Sequence, residues 1–330
     1  MQKQPGWYER GWWLIKISVF LLSCWFIYLH VDKEVALLGS SRSFFLQAVQ
    51  FSNTSLMIWL VLVLALMNWS LEAIKWRFLI LKTEDISFIT AMRAFFNGIT
   101  LSFFTPNRVG EFAGRVIYLK RENTIRGALL TFIGSASQLL ITIQCGTIAA
   151  GYYINRFMEI PEQSLLLIRI SLLLVFLLCT WGWWRMPRLV YWIDKLHIKT
   201  TWKEKAHIWD SCSNADLFKV WMLSLLRYIV FTTQAVLMYK AVGVSAGITE
   251  LAGLTALSYF FITLIPSIAL GELGVRGSVN IALFGYAGAL SGEILLATFG
   301  VWMINLAFPA FFGAASVLFL KVKNRSGGKG

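Results

Sequence analysis

Residues 105–115 read Thr105-Pro106-Asn107-Arg108-Val109-Gly110-Glu111-Phe112-Ala113-Gly114-Arg115, and residues 265–276 read Ile265-Pro266-Ser267-Ile268-Ala269-Leu270-Gly271-Glu272-Leu273-Gly274-Val275-Arg276. Both carry Gly-Glu followed by an apolar residue and an arginine, with a proline four (Pro106) or five (Pro266) residues upstream. The offset is 271 − 110 = 161 residues, almost half of a 330-residue chain. Proline has no N–H to give a helix and pushes its predecessor out of the α region, so Thr105 and Ile265 are predicted helix ends. Asn107 and Ser267 follow as side chains able to cap new helices. Gly110, Gly114, Gly271, Gly274 and Gly277 permit tight turns or close helix contacts.

Outward from these motifs the chain is apolar in long blocks: 12–31, 56–81, 88–105, 127–153, 164–184, 217–240, 246–265, 277–290 and 292–320. The composition is 57% apolar and 14% charged, with mean hydropathy +0.65, whereas soluble domains run nearer a quarter charged. A helix needs about 20 apolar residues to cross about 30 Å of hydrocarbon. Lipid offers backbone groups no partner and no barrel-like alternation is visible, so the blocks predict an all-α polytopic membrane protein. The first block follows a basic stretch without a small-x-small cleavage site and reads as a retained span.

A net charge of +13 points to nucleic acid in a soluble protein, but the placement of the basic residues follows a membrane instead. They gather at Lys3, Arg10 and Lys16, at Lys120, Arg121 and Arg126, across Arg185–Lys205, and at Lys321–Lys329, while 32–55 and 154–163 are poor in them. By the positive-inside rule both termini are expected in the cytoplasm. If each motif sits at the tip of a hairpin that enters and leaves by one face, each half holds three spans and a re-entrant hairpin. Three is odd, so the halves, 1–158 and 159–330, would be inverted repeats within one transmembrane domain, a recurring transporter plan with no soluble domain. Hairpin arms that all cross fully, giving about ten crossings, remain the alternative by length.

Glu111–Arg115 and Glu272–Arg276 are spaced i, i+4 in the favourable acid-first order. One reading has each pair neutralise itself and staple its hairpin. The other has re-started helices aim their N-termini into the membrane, where Arg108, Arg115 and Arg276 add cationic donors suited to a phosphate or carboxylate. Ionisable residues within the bilayer line cavities or pair with one another. The expected substrate-binding set is therefore Asn107, Arg108, Glu111, Arg115, Ser267, Glu272 and Arg276, on a frame of Pro106, Gly110, Pro266, Gly271 and Gly274.

Other polar positions read as packing. Ser135, Ser137 and Gln138, and Thr232, Thr233 and Gln234, are expected to make interhelical hydrogen bonds. Glu72, Lys75 and Arg77 are expected near the inner end of their span, in a salt bridge or snorkelling. The loop 186–216 mixes Leu189, Trp192, Ile193, Leu196, Ile198 and Trp202 with bases, as an interfacial helix or an aromatic-anchored loop would. Cys24, Cys145, Cys179 and Cys212 form no C-x-x-C pair, and His30, His197 and His207 form no ligand cluster. No metal, cofactor or catalytic constellation is predicted, because nucleophile-elbow, P-loop and dinucleotide fingerprints are absent from the sequence.

Pro106-Asn107-Arg108-Val109-Gly110-Glu111 with Arg115, together with Pro266 and Gly271-Glu272-Leu273-Gly274-Val275-Arg276, resembles the lysylphosphatidylglycerol synthase transmembrane (flippase-like) family. The resemblance implies a bacterial or archaeal integral membrane protein acting on lipid-linked substrates. In two-domain members this part is the flippase for aminoacylated phosphatidylglycerol, and a separate cytosolic domain makes that lipid. The sequence reaches Gly330 just after its last apolar block, so aminoacyl transfer is not expected. Asn107 stands where the family commonly has Gly, and Ser137-Gln138 where an acidic–basic pair is common. The leading expectation is a lipid translocase of the bacterial inner membrane, its partners membrane lipids (an anionic phospholipid or a polyprenyl-linked lipid) and not nucleic acid, with homo-oligomerisation left open. The alternative is a membrane enzyme or accessory subunit of glycolipid or isoprenoid-lipid biosynthesis, with Glu111 and Glu272 as acid/base candidates.

Overall fold

The computed structural model describes residues 52–103, 105, 108–157, 160–195, 212–265 and 269–318. Their regular structure runs α1 (Ser52–Ile80), α2 (Phe88–Ser102), α3 (Gly110–Val116), α4 (Thr124–Phe157), α5 (Glu162–Lys195), α6 (Asn214–Ala241), α7 (Ile248–Leu264), α8 (Ala269–Phe284), α9 (Ser291–Trp302) and α10 (Phe308–Leu318). Ser55–Ile80, Arg121–Phe157, Glu162–Met186, Asn214–Ala241 and Ser291–Ser316 are long and apolar enough to cross a membrane. The chain is thus a multi-pass helical membrane protein. The predicted first span at 12–31, and Pro106, Asn107, Pro266 and Ser267, lie outside the described residues.

Local chemistry sets the helix ends. Ser87 caps α2 by accepting from the Thr90 N–H at 3.1 Å. Ser213 and Asp216 cap α6 reciprocally, side chain to backbone in both directions. Helix α7 stops at Leu264, and Ile265 takes the extended backbone expected before a proline. Helices α9 and α10 are one span interrupted by a π-helical turn, Met303–Ala307. Pro309 has no N–H for the Asn305 carbonyl, and the helix widens there rather than breaking.

Helices α2 and α3 are too short to cross. At about 1.5 Å per residue, 15 and 7 residues rise about 22 and 10 Å. They pack against each other along a glycine seam. A Cβ on Gly114 would lie 2.5 Å from the Asn97 carbonyl oxygen, and one on Gly110 would lie 2.2 Å from that of Leu101. Any larger residue would push the arms apart. The two ends of this hairpin meet: Glu84 Oε2 accepts from the Lys120 N–H and from Asn123 Nδ2, both at 3.0 Å. Helices α7 and α8 form a second hairpin. Its ends meet at the opposite end of α4, where Arg156 pairs with Glu250 at 2.7 Å and the Phe157 and Tyr286 rings lie 4.7 Å apart.

Helices α1 and α6 are antiparallel neighbours, as Lys82 past the end of α1 reaches Asp216 at the start of α6, 2.7 Å away. Helix α2 packs on α10, α7 on α4, and α5 chiefly on α4, leaving most of α5 facing outward. The buried side chains divide into two apolar clusters. Along α1 the first contributes Val61, Ala65 and Trp69, and the second contributes Ala73, Trp76, Leu79 and Ile80. Along α6 the order is reversed, with Leu217 and Val220 in the second and Tyr228, Ala235 and Val236 in the first. Where the clusters meet, the interior turns polar.

Candidate functional site

That seam is a charged layer centred on Glu72. Its Oε1 accepts from Arg115 Nη1 at 2.9 Å, and its Oε2 lies 2.8 Å from Lys75 Nζ and 3.0 Å from Arg227 Nη1. Arg115 gives its other terminal nitrogen, Nη2, to Glu111, so the predicted i, i+4 pair forms but is only half of the arginine's engagement. The Phe95 ring packs 5.9 Å from its guanidinium carbon. Glu72, Lys75 and Arg115 are 4%, 1% and 2% exposed. By helix rise Glu72 lies about 12 Å from the Ile80 end of α1 and Arg227 about 20 Å from the start of α6, both within the hydrocarbon depth.

Of the two alternatives expected for Lys75, a salt bridge or snorkelling, the salt bridge is the one that forms. Its ammonium is pinned by Glu72, with Ser224 Oγ at 3.4 Å, and does not reach the helix end. Arg77 behaves differently, donating from Nε to the Ile86 carbonyl at 2.7 Å. Within the layer, three cations (Lys75, Arg115, Arg227) face two carboxylates (Glu72, Glu111), an excess of one positive charge.

From Arg227 a hydrogen-bonded chain crosses the bundle. Its Nε donates to Asn68 Oδ1 at 2.8 Å, and its Nη1 lies 3.4 Å from Gln138 Oε1. Asn68 Nδ2 donates to Asn305 Oδ1, and Asn305 Nδ2 donates to Gln234 Oε1, each at 2.8 Å. Gln234 Nε2 in turn donates to the Val61 carbonyl at 3.1 Å. Gln138 and Gln234 thus make the interhelical bonds predicted for them. Asn68, Arg227 and Asn305 were absent from the predicted set. Their signal was present in the sequence, since each is a polar residue inside an apolar block, where such groups are costly without partners.

The first motif supplies Arg115, Glu111 and the seam glycines to this layer. Gly110 donates its N–H to Thr105 Oγ1 at 2.6 Å, and Arg108 has a left-handed backbone with φ of 59°. Arg108 is exposed, outside the buried layer. In the second motif Gly271 and Glu272 fall in the opening turns of α8.

Arg276, the counterpart of Arg115, lines a small cavity with Tyr239, Ser258, Tyr259, Asn280, Phe284, Thr298 and Trp302. Asn280 bridges it, paired with Ser258 through Oδ1 and donating from Nδ2 to Thr298 Oγ1 at 2.8 Å. The structure brings neither Arg276 into the Glu72 layer nor Arg115 into the cavity, so the two motif arginines serve separate surroundings.

No curated protein matches this chain. The sequence does match a family described as the lysylphosphatidylglycerol synthase TM region over residues 13–313, a stretch that contains α1 to α9, the first half of α10 and both motifs above. The chain belongs to that family of membrane regions.

Proposed function

We propose that the protein is a lipid translocase that handles an anionic or lipid-linked headgroup between two inverted halves. The observation that carries this reading is the Glu72 layer, a charge cluster with one positive charge in excess held at hydrocarbon depth. Such groups are expensive in a membrane and persist where they serve a polar passenger or a moving joint. The layer ties the hairpin of one half, through Arg115, to a helix of the other, through Arg227. A negative headgroup would find net attraction there, while its acyl chains stay in lipid.

The inverted arrangement is supported by three features. Both hairpins begin and end on one side of the bundle, and they do so at opposite ends of α4. Exchanging α1 with α6, α2 with α7, α3 with α8, and α4 with α9–α10 turns the α2–α10 packing into α7–α4, and the α3–α4 packing into α8–α9. The offset between Gly110 and Gly271 also separates Asn97 from Ser258, and both tie the arms of their hairpins, to Tyr118 and to Asn280 respectively. With both termini in the cytoplasm, cysteines at positions 120 and 286 should label from opposite sides; labelling from the same side would remove the inversion.

In the enzyme reading, Glu111 would have to pass protons. Its carboxylate is taken up by Arg115, an ion pair that anchors α3 in the charged layer. The test is reconstitution of the full chain in liposomes carrying fluorescent phosphatidylglycerol, with a membrane-impermeant quencher reading the outer leaflet. Headgroup movement above protein-free liposomes is the expected result. Unmoved lipid of unchanged mass would refute the translocase, and lipid of altered mass would make the protein an enzyme.

A further inference from the structure

Arg227 stands apart from the other cations of the Glu72 layer. The side chains of Lys75 and Arg115 are 1% and 2% exposed, whereas that of Arg227 is 23% exposed. Its guanidinium is planar and presents its N–H groups in a fixed fork. Two of the three nitrogens are turned into the bundle: Nε donates to Asn68 Oδ1 at 2.8 Å, and Nη1 lies 3.0 Å from Glu72 Oε2 and 3.4 Å from Gln138 Oε1. Partners on α1 and α4 thus hold the plane of a group carried by α6. The third nitrogen, Nη2, has no partner among the described residues, and it is not among their sealed polar atoms. An open N–H at hydrocarbon depth calls for an acceptor, because lipid tails supply none.

The charge of the layer defines what would come. Among the described residues three cations face two carboxylates. A group with one negative charge balances the layer, and a zwitterionic or neutral one does not. Guanidinium N–H groups match the oxygens of a phosphate in both charge and direction. The cavity lined by Arg276 is too small to compete for a headgroup. At about 20 Å3 it has room for about one water-sized group. A water there would meet Tyr259 Oη and Trp302 Nε1, two buried atoms with no hydrogen-bond partner among the described residues.

We infer that Arg227 Nη2 receives the phosphate of a monoanionic phospholipid, with Asn68, Glu72 and Gln138 holding the guanidinium in place. This rests on the translocase reading and gives its charged layer one contact atom and one class of passenger. Arg227 belongs to neither repeated motif, so the contact comes from the tertiary fold and not from the recurring sequence.

The experiment is thermal unfolding of the full chain in uncharged detergent, titrated at constant ionic strength with three probes. Dihexanoyl phosphatidylglycerol carries one net negative charge. Dihexanoyl phosphatidylcholine carries the same phosphate but is neutral overall, and inorganic phosphate has no chains. The phosphatidylglycerol should raise the melting temperature at a concentration about tenfold below that of the phosphatidylcholine, the scale of a hydrogen bond to a charged group. Arg227→Lys keeps the charge and a partner for Glu72 but not the fork. It should melt near the parent without ligand and bind phosphatidylglycerol about tenfold more weakly. Lys219→Gln removes an exposed charge from the same helix and should change neither value. Equal response of the parent to the two phospholipids would overturn the proposal, whatever the variants do. So would unchanged phosphatidylglycerol affinity in Arg227→Lys, an equal loss in Lys219→Gln, or inorganic phosphate acting as strongly as the phospholipid. Lipid movement by the parent, with phosphatidylglycerol affinity unchanged in Arg227→Lys, defeats the Arg227 contact and spares the translocase. Affinity lost in Arg227→Lys, with a parent that moves no lipid, defeats the translocase and spares the contact.

Discussion

Arg115 and Arg276 close the same short motif, yet their surroundings differ in kind. Arg115 is 2% exposed and bound by two carboxylates, one from its own helix and one from α1. Arg276 lies partly open against tyrosine, tryptophan and asparagine. The recurring motif meets two surroundings: one arginine closes an ion cluster that joins α1, α3 and α6, and the other lines a cavity. A motif alone therefore does not define a site; what the rest of the fold brings to it does.

The sharpest way to break this contrast is to remove the centre of the ion cluster. Glu72→Ala leaves the buried Lys75 and Arg115 and the half-buried Arg227 with only Glu111 for counter-charge. Losing one partner of a buried pair costs about 3–5 kcal/mol, and here Lys75 and Arg227 lose their carboxylate while Arg115 keeps only Glu111. That is a large share of the about 5–15 kcal/mol that holds a domain folded, so most of the folded protein should be lost, read by monodispersity and melting temperature in detergent. If Glu72→Ala melts as the parent does, the layer is not structural. Arg115→Ala should cost about 3–5 kcal/mol on the same scale, and Arg276→Ala about 1 kcal/mol or less. Equal losses would erase the difference between the two hairpins.

The glycines sharpen the contrast at smaller magnitude. Gly114→Ala drives a Cβ to within 2.5 Å of the Asn97 backbone, where neither partner can yield cheaply. A loss of about 1–3 kcal/mol is expected from the overpacking. Gly274→Ala in the second hairpin meets nothing within 4 Å, and removing a glycine from a helix interior favours the helix by about 0.8–1 kcal/mol. Opposite signs of the two shifts in melting temperature are expected. A fall for both would mean that α8 packs as tightly as α3.

How much of this was legible in the sequence depended on whether the signal was local. Helix positions followed from apolar run length, and the end of α7 at Leu264 from the proline after Ile265, because both are set within a few residues. The Glu111–Arg115 pair followed from helical spacing. The partnership of Glu72 with Arg115 and Arg227 did not, since it joins residues 43 and 155 positions apart in sequence and depends on α1 lying against α6. Lys75 illustrates the same limit: near a helix end a lysine ordinarily reaches outward, but here a carboxylate one turn away and a buried serine on α6 hold it in. The cavity was least legible of all, as Tyr259 and Trp302 look like ordinary aromatic packing until the fold leaves their polar atoms without partners.

The smallest expected effect lies at the tip of the first hairpin. Arg108 holds φ at 59°, a conformation that costs a residue with a Cβ about 1–2 kcal/mol relative to glycine. Its side chain is exposed and outside the charged layer. If the residue's main task is to make the turn, Arg108→Gly should keep the melting temperature or raise it by the equivalent of up to about 1 kcal/mol, with lipid movement unchanged. If its charge guides a headgroup toward the layer, stability should still hold while movement of an anionic lipid slows and that of a zwitterionic one does not. Since the backbone gain and the charge loss are read by different measurements, this one substitution separates what the first motif does for the fold from what it does for a passenger.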